Sequence, residues 1–298
     1  MALNIETFSN EKGGNAFFKA IGHPLAAQKL PALLAELTGG RVALYDPLGY
    51  AQAFAALYDL SGLDIAGVFV QDVEAIGGEI LGHTAQPVTA LPACDADIIF
   101  VTAFDAAGLS NQIQHLHPKA RTGPTKVLSL DAMRLPDDML SNKQRYLSGL
   151  NFATNFAFFR DGDGQHTRLA TANYWSGYGA EAPALYCCLF SEEGQVLAEW
   201  REALGAAGAA VVLDSAEVAT RFGLGSFTGQ LLLHVLGAAG HDIVKYALGT
   251  YGDGPDALSA THDANAWPSD LYAGLPAPAS GEQVILWLQN SHPSAIPA

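Results

Sequence analysis

Cysteine is scarce in this 298-residue chain, and its three copies are poorly placed for cross-linking: Cys187 and Cys188 are neighbours, and Cys94 stands far from both. An adjacent pair closes an ordinary disulfide only with strain, so a disulfide framework is excluded and a reducing compartment is expected. Cations are also few, with 15 Lys and Arg against 30 Asp and Glu, a formal charge of −15. A phosphate backbone is repelled by such a chain unless its cations cluster, and no cluster stands out, which argues against nucleic acid as a partner. No run of about 18 uncharged apolar residues occurs, so no membrane span is expected. The N-terminal MALNIETFSNEK has early acids and no apolar stretch of signal-peptide length, which makes the cytoplasm the expected location.

Catalytic signatures are missing too. There is no G-x-x-x-x-G-K-[ST] phosphate loop and no serine in a G-x-S-x-G elbow. The sequence specifies no cofactor. What the chain does have is apolar mass: 49% hydrophobic and only 15% charged residues are enough to bury a sizeable core without a structural metal.

The pattern of that mass changes along the chain. In the first half, strand-like runs at residues 41–46 (RVALYD), 65–72 (IAGVFVQD), 97–104 (DIIFVTAF) and 126–131 (KVLSLD) alternate with helical stretches near 50–60 and 110–117, with a short segment around 89–94. Near-continuous apolar strands separated by helices predict a parallel sheet covered on both faces, a small Rossmann-like α/β domain over residues 1–140. After about residue 150 the strands are joined by short turns. They fall at 184–190, 195–200, 209–214, 229–236, 241–251, 258–262 and 283–289, and predict an antiparallel β-sandwich over 150–298. Gly194 suits the left-handed position of a hairpin turn, and Asp214 with Glu217 has the D-x-x-E spacing of a capping box ahead of a short helix ending near Gly223. Residues 291–298 (SHPSAIPA) follow a strand-like run with no capping element, so the second domain is expected to be truncated at its C-terminus.

In an open α/β sheet, ligands bind beyond the carboxyl ends of the strands, where strand order reverses. The acids and aromatic at those ends are Asp46 and Tyr50 after the first strand, Asp72 after the second, and Asp105 after a later one. Asp72 follows Asp46 by 26 residues, near the place where a dinucleotide-binding fold keeps the acid that takes a ribose hydroxyl. Together with the turn 42–49 (VALYDPLG), the Gly77-Gly78 pair, and 82–88 (GHTAQPV) leading to Leu91, these strands resemble the small Rossmann-like domain of bacterial sugar O-acyltransferases and sugar methyltransferases. The resemblance covers about residues 30–133. It implies a domain that binds a nucleotide sugar or supports a neighbouring catalytic module. The first turn departs from the dinucleotide pattern, because Asp46, Pro47 and Leu48 stand where glycine amides would approach a phosphate. Conventional NAD binding is therefore not expected. The acids serve either as turn residues and helix caps or as contacts to a small polar ligand.

The second half offers His234, His241 followed by Asp242, and His262 followed by Asp263. If residue 236 paired with 241 across a turn at 237–240, His234 and His241 would share one face, and with His262 they would offer imidazoles to zinc or a similar ion. No H-x-H, H-x-x-x-H or C-x-x-C pair among these residues fixes two ligands locally, so structural histidines at strand ends are the competing reading. Tyr174, Trp175 and Tyr178, with Trp267, Tyr272 and Trp287, provide either a sugar platform or core packing. The expected role is binding or assembly in a soluble protein, toward a carbohydrate, a nucleotide-like or other small polar ligand, or a protein partner. The alternatives are an enzyme of nucleotide-sugar or polysaccharide metabolism and a metal-dependent enzyme using the three histidines.

Overall fold

Strands apolar along their whole length need cover on both faces, and the first half of the chain supplies it. The computed structural model describes residues 14–118, 124–254, 258–262 and 279–281. The described residues begin with three short helices, α1 (Gly14–Ile21), α2 (Pro24–Ala27) and α3 (Leu30–Leu37), and the chain then enters the central strand β1 (Val42–Asp46), all five residues of which are buried. Helix α4 (Ala51–Leu57), β2 (Ile65–Val70), the short β3 (Glu79–Ile80), β4 (His83–Pro87), β5 (Ile98–Val101), α5 (Ala107–Ile113) and β6 (Lys126–Ser129) follow. The segment expected near 89–94 is a 3₁₀ stretch, Val88–Ala93, which contains Pro92.

The sheet order is β3-β4-β2-β1-β5-β6, with only β3 antiparallel to its neighbour. Leaving β3 aside, the strands in chain order lie 3-2-1-4-5, so the winding direction reverses between β1 and β5. Strand alternation divides the core. Ala43, Tyr45, Phe69, Ile99 and Val101 pack on one face with Leu91, Ala96 and Ile113. Phe100 lies against Phe54 of α4, ring centres 6.0 Å apart.

Among its described residues the second half is all-β apart from one α-helix and short 3₁₀ turns. Its strands are β7 (Thr154–Gly162), β8 (Gln165–Ala172), β9 (Ala184–Ser191), β10 (Val196–Ala203), β11 (Ala210–Asp214), β12 (Phe227–Leu236), β13 (Ala247–Gly252) and β14 (Leu258–His262), and they form one hydrogen-bonded path, β10-β9-β12-β7-β8-β13-β14, with β11 joined to β8. The β7–β8 ladder is only two pairs long, Asp161↔His166 and Gly162↔Gln165, after which β7 stays with β12 while β8 pairs with β11 and β13. Splayed in this way, the path becomes two facing layers. Phe159, Leu185, Cys187, Leu231 and Leu233 of one layer share a core with Leu169, Val211 and Leu213 of the other. The turn residues Asp163 and Gly164 both have positive φ (53° and 69°), as a two-residue hairpin turn requires. Helix α6 (Ser215–Phe222) begins where the capping box predicts, with Asp214 accepting from the Ala216 N–H and Gly223 closing it at φ 64°. The β9–β10 hairpin has Gly194 at φ 78°.

One expected pairing is corrected. β12 is flanked by β7 and β9, which use both of its edges, so β13 cannot lie beside it. The run expected as strand from 241 becomes one only at Ala247. Before that, the Asn155 amide donates to the Val244 carbonyl (2.7 Å) and the Tyr246 hydroxyl to the Phe156 carbonyl (2.6 Å). The strand expected at 283–289 lies outside the described residues.

The chain divides into two compact units. One contains Phe17–Pro136 and Gln144–Leu147, and the other contains the described residues 14–16, Asp137–Lys143 and the described residues from 148 onward. Within residues 136–148 the chain therefore passes from one unit to the other three times. Within the α/β unit, Tyr146 is fully buried, accepts from the Leu135 N–H at 2.9 Å and donates its own N–H to Asp105. No helix among the described residues is long and apolar enough to cross a membrane.

Where the β7–β8 hairpin opens, backbone pairing is replaced by side chains. The buried Thr167 hydroxyl accepts from the Arg160 N–H (3.0 Å) and donates to the Arg160 carbonyl (3.2 Å), and the Ser215 hydroxyl accepts from the Thr167 N–H (2.9 Å). Thr167→Val keeps the shape and removes both bonds of the hydroxyl. It is expected to cost about 1–3 kcal/mol in urea unfolding with the slope unchanged, whereas Thr167→Ser should recover most of it. A neutral Thr167→Val would contradict this role.

Candidate functional site

The reversal between β1 and β5 identifies the site to examine, and the first residue there is Asp46. It ends β1 and is 3% exposed. Its carboxylate accepts from the Tyr50 N–H (2.8 Å) and the Ala51 N–H (3.3 Å) at the start of α4, and from the Thr102 hydroxyl (2.7 Å) just past β5. The amides that a Rossmann-like fold offers to a ligand phosphate are thus met by a carboxylate of the same chain. Pro47 has no N–H to add, and Gly49 (φ 74°) turns the loop.

Aromatic rings pack on one another beside this cap. The Tyr50 ring stacks on Phe17 of α1 (4.2 Å, 12° between planes); Phe17 meets Phe104 edge-on at 6.2 Å, and Phe104 lies 4.4 Å from Tyr146. Burial raises the Tyr50 hydroxyl above its usual pKa and pushes that of Tyr146 to about 12, so both are neutral donors near pH 7. Asp105 has the left-handed φ of 52°, unusual for a residue with a side chain. It is held there because its N–H donates to Asp131 (2.8 Å), while its carboxylate accepts from the Tyr146 N–H (2.8 Å) and pairs with Arg134. The Arg134 guanidinium also lies over the Tyr146 ring at 4.5 Å. Asp72 is exposed and caps a 3₁₀ turn by accepting from the Glu74 N–H (3.0 Å). Asp46 and Tyr50 are therefore in direct contact and Asp105 joins the same aromatic group through Phe104, while Asp72 belongs to a separate loop.

A cleft of about 320 Å³ opens elsewhere on this unit, over β2 and β4, with Phe69 and three alanines in its wall and Arg41, Gln86, Cys94 and Asp95 around it. Arg41 is already paired with Asp95 (2.9 Å) and Asp64 (3.3 Å). Burial raises the Cys94 thiol pKa, against the pull of Arg41.

His234 and His241 of the all-β unit have different partners. His234 is completely buried on β12, where Nε2 donates to the Asn151 carbonyl (2.9 Å) and the ring meets Tyr186 edge-on. His241 is in a loop, edge-on to Tyr174 and Tyr178. His262 ends β14 opposite Ala247; its side chain and Asp263 lie outside the described residues. Among the described residues no three His, Cys, Asp or Glu side chains converge as a metal ion needs. Of the aromatic trio, Trp175 is buried beneath Tyr174 (3.8 Å), leaving Tyr178, 59% exposed, to present a face; Trp267, Tyr272 and Trp287 lie outside the described residues. Cys187 and Cys188 are buried free thiols, the latter pushed up to about 12 by burial, which makes both small apolar core residues at neutral pH.

Sequence reasoning missed the best-formed ionisable cluster in this unit. His166 sits between two carboxylates, with Nδ1 2.7 Å from Asp161 and Nε2 3.1 Å from Asp253 past the end of β13. Ser215 donates to the same Asp161 oxygen at 3.1 Å. Beside it Asp214 accepts from Arg168 Nε (2.8 Å) and the Tyr251 hydroxyl (2.8 Å). Burial opposes ionisation of Asp214, but Tyr251, Arg168 and the Ala216 N–H outweigh it and hold the carboxyl below its usual pKa. The signal was the Asp163-Gly164 turn, which puts Asp161 directly opposite His166. No family model matches the chain, and no curated protein matches it.

Both His166 ring nitrogens are engaged, and the bonds to Asp161 and Asp253 raise its pKa above the usual imidazole value. The stabilisation belongs to the imidazolium, so it is fully present below about pH 6.5 and is lost as pH rises through the higher folded-state value. The melting-temperature difference between the wild type and His166→Gln is expected to be largest near about pH 5.5 and to shrink toward about pH 9. A difference independent of pH would contradict the clamp.

Proposed function

We propose that this chain is a binding or assembly protein whose α/β unit serves as a scaffold and not as a nucleotide-using catalyst. The observation that carries the reading is the Asp46 carboxylate, which accepts from the Tyr50 and Ala51 amides and the Thr102 hydroxyl where a phosphate would otherwise dock. To admit a dinucleotide or nucleotide sugar in the usual pose, the protein would have to expel a buried, triply hydrogen-bonded carboxylate and place a second anion beside it. Both changes are unfavourable. Phe17, Tyr50, Phe104 and Tyr146 pack on one another beside that carboxylate, so a ligand in that pose would also have to be accommodated against these rings. The reading favours a protein partner over a small polar ligand at this end of the sheet. The enzymatic alternative has weaker support, because the His166 imidazole, the best-oriented base in the described residues, has both nitrogens occupied by carboxylates.

Calorimetric titration with NAD, ATP and a uridine diphosphate sugar tests this. No saturable heat is expected for any of them up to about 1 mM, and a Kd in the micromolar range for one of them would overturn the scaffold reading.

A further inference from the structure

The face at the carboxyl ends of β1 and β2 has two properties that belong together. Six large apolar side chains are conspicuously exposed among the described residues, and three of them are in the two loops that leave this face: Leu48 (52%), Val73 (78%) and Ile76 (40%). The register Asp46↔Val70 sets the two loops side by side, and the Gln52 amide in the first turn of α4 donates to the Glu79 carbonyl (3.2 Å), tying the far end of the second loop to the helix that follows the first. The second loop has a fixed shape. Asp72 caps the 3₁₀ turn Val73–Ala75, and backbone bonds Gly77 N–H to Ala85 O and Ala85 N–H to Gly78 O close it against β4. Single exposed apolar side chains are ordinary, but apolar side chains grouped on neighbouring ordered loops are the kind of feature that marks an interaction site.

Charge is the second property. From residue 42 to 118 the sequence contains nine acids and no Lys or Arg. Asp72 and Glu74 stand in the same loop as Val73 and Ile76, Glu79 opens β3 at its end, and all three acids are exposed. A second copy of this chain would bring acids against acids in a molecule already at −15, so self-association through this face is disfavoured. We propose that this face docks a cationic amphipathic segment of a partner protein, whose apolar side covers Leu48, Val73 and Ile76 while its Lys or Arg side chains meet Asp72, Glu74 and Glu79. The proposal rests on the scaffold reading, under which this end of the sheet is closed to nucleotides.

The test uses the full chain and a fluorescent helical peptide of Leu and Lys, about 18 residues long, followed by anisotropy. Two control peptides are the same sequence with Glu in place of Lys, and a shuffled Leu/Lys order that is not amphipathic. The Lys peptide should bind best and weaken as salt rises. Val73→Ser with Ile76→Ser should weaken it at least about tenfold, as should Glu74→Lys with Glu79→Lys, while Val212→Ser on the other unit leaves it unchanged. Melting temperatures of the variants confirm that they fold. Equal affinity for the Glu or shuffled peptide overturns the proposal, and so does indifference to the Val73 and Ile76 changes. Sedimentation showing a dimer that those two changes dissolve overturns it in favour of self-contact. Nucleotide titration separates the two readings: if no nucleotide binds and no peptide discriminates, the scaffold reading survives and this inference alone fails.

Discussion

A single carboxylate joins the elements at the switch point of the α/β unit. Asp46 lies at the strand end where the winding reverses, and it bonds to both the start of α4 and the residue after β5. A Rossmann-like fold leaves the first amides of that helix unsatisfied so that an anion can complete them. Here the completing anion is part of the chain and is present in every molecule. The aromatic packing of Phe17, Tyr50, Phe104 and Tyr146 depends on this, since the Tyr50 ring that stacks on Phe17 is carried by the residue whose N–H Asp46 holds. Asp105 and Arg134 then secure Tyr146, and through it the short return segment Gln144–Leu147.

The all-β unit uses the same device at another scale. Where β7 and β8 separate to make two layers, the lost ladder bonds are replaced by the Thr167 and Ser215 hydroxyls, and the Asp161–His166–Asp253 group joins the hairpin base to the end of β13. In each unit a buried polar residue bonds to a hydroxyl from an element distant in sequence, Asp46 to Thr102 and Thr167 to Ser215. That arrangement ties together elements far apart in the chain.

This division also explains what the sequence disclosed. Local features were legible: the apolar runs of β1, β2 and β5, the D-x-x-E cap of α6, and the Gly194 hairpin each depend on residues within a few positions of one another. The β7–β8 hairpin was legible too but went unread, although Asp163-Gly164 between two strand-like runs is a strong turn signal. The neighbours of β12 were not legible. Strand adjacency is settled by packing between segments, and pairing residue 236 with 241 failed because β7 and β9 already flank that strand. The strand-end positions of Asp46, Asp72 and Asp105 could be named from sequence, but their partners could not. Thr102 is 56 residues from Asp46, and Tyr146 is 41 from Asp105.

The central claim is that Asp46 permanently occupies the amides that a nucleotide phosphate would need, and amide hydrogen exchange of Tyr50 and Ala51, followed by NMR, addresses it most directly. Both amides should be protected in the ligand-free protein by at least about a hundredfold over an unstructured chain, and ADP or inorganic phosphate at about 5 mM should not change their exchange or their chemical shifts. Fast exchange in the free protein that slows when ADP is added would contradict the account and return the α/β unit to the nucleotide-binding class.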